Sequence, residues 1–135
     1  SRTPDPTPVA RAAGELGIPV LRPRSINDED AVARLEEAAI RALVVVAFGQ
    51  ILREAVLGRW YCVNVHFSLL PAYRGAAPVE RALMDGVERT GVTIMRMDAG
   101  LDTGPILRRE AVDVAPGEDG GALTARLARL GAGLL

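Results

Sequence analysis

The sequence predicts an α/β fold: an open, mostly parallel sheet with helices on both faces. Three observations predict it. Segments with helical periodicity alternate with short apolar segments along most of the chain. The run at residues 42–47, Ala-Leu-Val-Val-Val-Ala, is apolar without alternation, as in a central strand covered on both sides. Near the C-terminus two strand-like segments, residues 91–97 and 106–114, are joined by a link too short for a helical crossover, so this pair is expected to be antiparallel.

The elements follow in order. Prolines at Pro4 and Pro6 give residues 1–6 the character of an extended loop. Thr7 then offers a hydroxyl cap and Pro8 suits a first helical position, which starts a helix running to about Leu16 and stopped by Gly17. Residues 18–21 read as a short strand, and Pro19 puts it at an edge or a strand start. Asn27 can cap a second helix, with Asp28, Glu29 and Asp30 in its first turn and Val32, Leu35 and Ala39 as its apolar stripe. After the strand at 42–47, Phe48-Gly49-Gln50 turns the chain into a short helix over residues 52–57. Cys62, Asn64 and His66 alternate with Val63, Val65 and Phe67, the period of a strand. Pro78 opens a helix that Gly86 closes. Asp119 or Thr124 starts the last helix, where Leu123, Leu127, Leu130 and Leu134 share one face and read as core packing.

Bulk properties narrow the function. With 135 residues, 49% of them apolar and 24% charged, the chain is one globular domain. Its net charge of −1 carries no electrostatic footprint for nucleic acid, and every basic residue is arginine. A single cysteine, Cys62, excludes an internal disulfide and reads as a small core residue. The longest apolar run is far too short to cross a bilayer, and the start has no basic-plus-apolar signal pattern. A cytoplasmic protein is expected.

The chemistry concentrates at the strand that ends in the chain's one histidine. Strand alternation sets Asn64 and His66 on one face, and the bend Ser68-Leu69-Leu70-Pro71 follows at once. Strand ends of this kind are where α/β sheets present ligand sites. Histidine can move a proton near neutral pH, and an asparagine amide can donate to a developing oxyanion. A carboxylate to hold the imidazole could come from Asp98 or Asp102, which lie in one loop. The residues alone do not choose between them. No cluster of metal-ligating residues stands out in the sequence.

Asn64-x-His66 followed by Ser68-Leu69-Leu70-Pro71, then Arg74-Gly75-Ala76-Ala77-Pro78, resembles the folate-dependent formyltransferases. The run from Thr90 to Gly104, which contains Gly100-Leu101-Asp102-Thr103-Gly104, narrows the likeness to the branch acting on methionyl-tRNA. The likeness extends along nearly the whole chain. It implies a Rossmann-like catalytic domain in which the family's first βαβ unit and its C-terminal tRNA-binding domain are absent, so residues 1–135 would be a partial domain, inactive alone. It implies 10-formyltetrahydrofolate as formyl donor, initiator methionyl-tRNA as acceptor in the full-length protein, and no metal and no membrane. It selects Asp102 as the carboxylate beside Asn64 and His66. It places Ser68, Leu69, Leu70 and Pro71 in the folate pocket, with a cis Leu70–Pro71 bond, and Ala47, Phe48, Gly49, Ile51 and Leu52 against the pterin ring. For Arg74 two readings stand level: a contact to a phosphate or the folate's glutamate tail, and a solvated loop residue. Other formyl-folate enzymes, acting on a sugar amine or a purine precursor, are the alternative, with a non-catalytic folate-binding remnant behind them.

Overall fold

The computed structural model describes residues 5–135. Of the extended opening expected over residues 1–6, the first four residues lie outside the described residues. Helix α1 (Pro8–Glu15) starts as expected: Thr7 Oγ1 accepts from the Ala10 N–H at 3.3 Å, with proline at the first position. Gly17 stops it in a left-handed conformation, φ +69°. α1 buries none of its residues.

Residues 18–21, expected as a short strand, pair with nothing among the described residues. Pro19 has no N–H to give a ladder, and Ile18 and Val20 stay about half exposed. Helix α2 (Glu29–Glu37) is preceded by Asp28 at the cap position, not Asn27. The Asn27 side chain is engaged elsewhere: its amide donates to Ile51 O at 2.8 Å and its oxygen accepts from Arg53 N at 2.8 Å. It thereby ties the entry to α2 to the loop before α3 (Glu54–Leu57).

Four strands form one sheet in the order β1 (Ala42–Val45), β2 (Tyr61–His66), β3 (Arg89–Arg96), β4 (Ile106–Asp113). The α/β class holds, but the balance of strand directions differs from expectation. β1 pairs parallel with β2, whereas β2–β3 and β3–β4 are both antiparallel. The expected central strand at 42–47 is the four-residue β1, which stands at the edge of this sheet with Val44 half exposed. Exposed and half-buried residues alternate along β1, so one face of this apolar run is uncovered and its apolarity does not give it a central place. The antiparallel pair β3–β4 is as expected, with one irregularity. Ile94 faces Arg108 and Met95 faces Ile106, so Leu107 is an extra residue in β4.

Strand alternation divides the core. Val63, Val65, Val92 and Ile94 face one side, where Val79 of α4 (Pro78–Met84) and Leu123 and Leu127 of α5 (Gly120–Leu134) cover them. Leu123 and Leu127 are fully buried, each worth about 1.5–3 kcal/mol relative to exposure. Asp119 caps α5, accepting from Ala122 N at 2.8 Å, and Leu130 and Leu134 complete the expected stripe. α5 comes close enough to the sheet that a Cβ on Gly131 would lie 2.7 Å from Val65 Cγ1. On the other side, Cys62 packs with Ile26, Val32, Leu52 and Val56, which places α2 and α3 on that face.

Burial pushes the Cys62 thiol pKa up, against the smaller opposite pull of the Arg96 charge. The folded chain therefore keeps this proton at alkaline pH where the unfolded chain has released it, and stability falls as pH rises above the ordinary thiol range. Alkylation by iodoacetamide is expected to be slow in the native protein and fast in denaturant. Equal rates in the two states would contradict the burial.

No helix among the described residues is long and apolar enough to cross a membrane.

Candidate active site

β1 stops at Val45, opposite Asn64, while β2 continues to His66 and remains paired with Thr93 of β3. His66 therefore projects beyond the end of its parallel neighbour. The connection between β3 and β4 folds back over the same face of β2. It is anchored at its root by the Arg96 N–H donating to Pro105 O at 2.9 Å and the Met97 N–H donating to Cys62 O at 2.9 Å. Inside it, Asp98 Oδ1 accepts from Gly100 N and from Thr103 Oγ1, both at 2.8 Å. Asp98 thus braces the loop, and the residue that reaches the sheet is Asp102, at φ +53°.

Asp102, Asn64 and His66 converge. Asp102 Oδ1 accepts from Asn64 Nδ2 at 3.2 Å, and Oδ2 lies 3.1 Å from His66 Nε2. The backbone N–H of Gly75 also donates to Oδ2, at 2.8 Å, and the Gly75 carbonyl lies 3.2 Å from His66 Nε2. Nε2 thus faces only acceptors, which requires a hydrogen on it. On the other side of the ring, Nδ1 lies 2.9 Å from Ser68 Oγ, and Ser68 gives its own proton to Ala72 O at 2.6 Å. Ser68 is left with lone pairs toward Nδ1. The doubly protonated ring satisfies every partner at once. The neutral ring fits only as the Nε2–H tautomer, with Ser68 turning its proton from Ala72 to Nδ1.

A cavity of about 540 Å³ opens on this triad. Asn64, His66 and Asp102 stand in its wall. Ala47, Phe48, Gly49, Ile51 and Leu52 form another part, with Val45 and Met97 adding apolar surface. Phe48 is 42% and Ile51 77% exposed, so this wall offers apolar area left uncovered among the described residues. Ala47 at φ +47° and Gly49 at φ +75° make the tight turn that carries it.

Ser68, Leu69, Leu70 and Pro71 are not in the cavity wall. The bend turns inward: Ser68 and Leu70 are buried, and the Leu70–Pro71 peptide is cis. Thr93, unmarked in the sequence because it reads as one more strand residue, holds the bend from below. Its hydroxyl donates to Ser68 O at 2.7 Å and accepts from Leu70 N at 3.0 Å. Arg109, opposite Thr93 on β4, donates to Leu70 O at 2.9 Å. The bend therefore supports the imidazole from behind. Thr93→Val keeps the shape but strands two buried backbone groups, at about 1–3 kcal/mol for each. Urea unfolding should show a loss in that range, and an unchanged midpoint would remove Thr93 from this role. Arg74 is exposed, and it is its carbonyl that the surrounding chain holds.

Known proteins resemble this chain in sequence and in fold. The formyl transferase family profile matches residues 1–135. Over 132 residues the chain is 53% identical to the methionyl-tRNA formyltransferase of Halorhodospira halophila, a match that covers 96% of the chain and 42% of that protein. It is 49% identical to the methionyl-tRNA formyltransferase of Roseobacter denitrificans, covering 96% of the chain and 43% of that protein. The chain thus spans roughly two fifths of the length of these curated relatives. Among solved structures, phosphoribosylglycinamide formyltransferase from Bacillus halodurans superposes with a TM-score of 0.80 at 31% identity, over 93% of this chain and 70% of that one. The full-length profile match and these likenesses agree with a sheet that ends in an Asn-x-His beside an aspartate loop: the chain belongs to the formyl transferase family.

Proposed function

We propose that the protein containing this chain transfers a formyl group from 10-formyltetrahydrofolate to the α-amino group of initiator methionyl-tRNA, in the cytoplasm, as a step of translation initiation. The observation that carries the reading is the convergence of Asn64, His66 and Asp102 on the wall of one cavity whose remaining surface is largely apolar. The identity to methionyl-tRNA formyltransferases over 96% of the chain supports the choice of acceptor.

The donor enters as a substrate, and the cavity suits it. A volume of about 540 Å³ with apolar walls and exposed backbone at 47–49 fits a flat heterocycle with a few polar groups. Asn64 has a second amide hydrogen free of Asp102, available to the formyl oxygen as it gathers charge when the amine adds. His66 Nε2–H stands beside it as a second donor and as the proton source for the departing folate nitrogen. Asp102 holds the imidazole in that orientation and offers a carboxylate toward which the amine proton can pass.

A second reading keeps the donor and changes the amine, which the 31% identity to a phosphoribosylglycinamide formyltransferase favours. One assay separates the two. The full-length protein is given labelled 10-formyltetrahydrofolate and, in parallel, initiator methionyl-tRNA, phosphoribosylglycinamide and an amino-sugar nucleotide. Label in the methionyl-tRNA is the expected result. Label only in another acceptor would replace the reading, and label in none would end it.

A further inference from the structure

We infer that Arg81 of α4 is a positioning residue for this reaction, acting through the Gly75 peptide; the inference rests on the formyl-transfer reading above. Gly75 is the one backbone unit that touches both acid–base side chains. Its N–H donates to Asp102 Oδ2 at 2.8 Å, and its carbonyl meets His66 Nε2 at 3.2 Å. Where that peptide stands decides where both side chains stand.

The peptide does not hold itself there. The segment from Tyr73 to Ala77 has φ of +55° at Tyr73, +84° at Gly75 and +53° at Ala77. Tyrosine and alanine have no intrinsic preference for that region, so outside contacts must maintain it. Arg81 supplies them on both sides of Gly75. Its Nη2 donates to Arg74 O at 2.5 Å and its Nε donates to Ala76 O at 3.1 Å. Among the described residues no carboxylate lies within ion-pair distance of Arg81, so its fork is committed to these two carbonyls. The guanidinium also lies 5.6 Å from the Tyr73 ring centroid, and Tyr73 Oη donates to Asp85 Oδ2 at 2.7 Å, just beyond α4. A rigid planar fork can span two carbonyls flanking one residue, whereas an ammonium is a single point on a flexible stem. Arginine is therefore required here, and lysine is not its equivalent.

The test uses the full-length protein with Arg81→Lys and Arg81→Ala. Arg81→Lys keeps the charge and the aliphatic stem and serves if Arg81→Ala does not fold. Misplacing a reacting group by about 1 Å can cost roughly a hundredfold in rate, so a fall in kcat of roughly tenfold to a hundredfold is expected. The KM for 10-formyltetrahydrofolate should change less than kcat, because residues 47–52 of the apolar wall are untouched and only the stretch 75–78 of the lining can shift. The imidazole ¹⁵N resonances of His66, identified by their loss in His66→Ala, should shift in both variants. The inference is overturned if Arg81→Lys keeps both the wild-type kcat and the wild-type His66 resonances, or if kcat falls only in step with the folded fraction. If the wild type itself transfers no formyl group, the functional reading fails. The His66 spectrum then still decides whether Arg81 fixes the Gly75 peptide.

Discussion

Asp102→Asn is expected to lower formyl transfer by about a hundredfold to ten-thousandfold, with a stability loss of about 1–3 kcal/mol from the donor left unpaired. Asp102 accepts three hydrogen bonds: from Asn64, from the Gly75 N–H and from the ring of His66. An amide of the same shape must turn its NH₂ toward one of these donors, so one contact becomes a clash of two donors. Asparagine tolerates the φ of +53° that Asp102 adopts, which makes it a cleaner probe than alanine, where backbone strain would be added to the chemical loss. His66→Ala should fall in the same range, because it removes the proton source and a donor together. Single-turnover rates and thermal unfolding on the same preparations decide the matter. A variant that transfers formyl within threefold of wild type, on the order of RT and far below a general acid–base effect, would exclude these residues from proton transfer.

Gly104→Ala carries the second large effect. A Cβ at this position would lie only 1.8 Å from the backbone oxygen of Arg96 and 3.3 Å from Met95 Cε. A backbone oxygen in a paired strand cannot step aside, because the same residue's N–H is bonded to Pro105 O at 2.9 Å. The root of the Asp102 loop must open instead. Overpacking of this kind costs about 1–3 kcal/mol and sometimes more, and activity should fall with it as Asp102 leaves His66. Gly133→Ala is the control. It sits in α5 with nothing within 4 Å of the new Cβ, and a helix gains about 0.5–1 kcal/mol from such a change. Chemical denaturation of the pair should move in opposite directions. Equal midpoints would mean that Gly104 is replaceable and the loop root is plastic.

The sequence made the strand ends and caps legible wherever local chemistry sets them. Thr7, Pro8, Asp119 and the alternation from Cys62 to Phe67 all stand as their side chains dictate. Strand order was not legible in the same way. The run at 42–47 looks central because it is apolar, yet β1 has a single neighbour in this sheet. Asn27 looks like a helix cap, but a long-range claim on its amide outcompetes the local one. In the site, the resemblance pointed to Asn64, His66 and Asp102, and these three converge. It also pointed to the bend 68–71, whose buried Ser68 and Leu70 stand behind the imidazole. Thr93, Arg81 and the Gly75 backbone left no mark in the sequence. A threonine in a strand, an arginine on a short helix and a peptide group acquire roles only through partners distant in the chain.

His66, Thr93 and Arg109 lie directly opposite one another on three adjacent strands. The imidazole and the two side chains that pin the bend behind it are thus beads on a single crosswise thread of the sheet. Pleating gives such a thread a parity. A slip of one residue in β3 would bring Val92 or Ile94 to the place of Thr93 and turn the threonine to the opposite side. The ring stands on β2 whatever β3 does, so it is the register of β3 that decides whether the ring is backed.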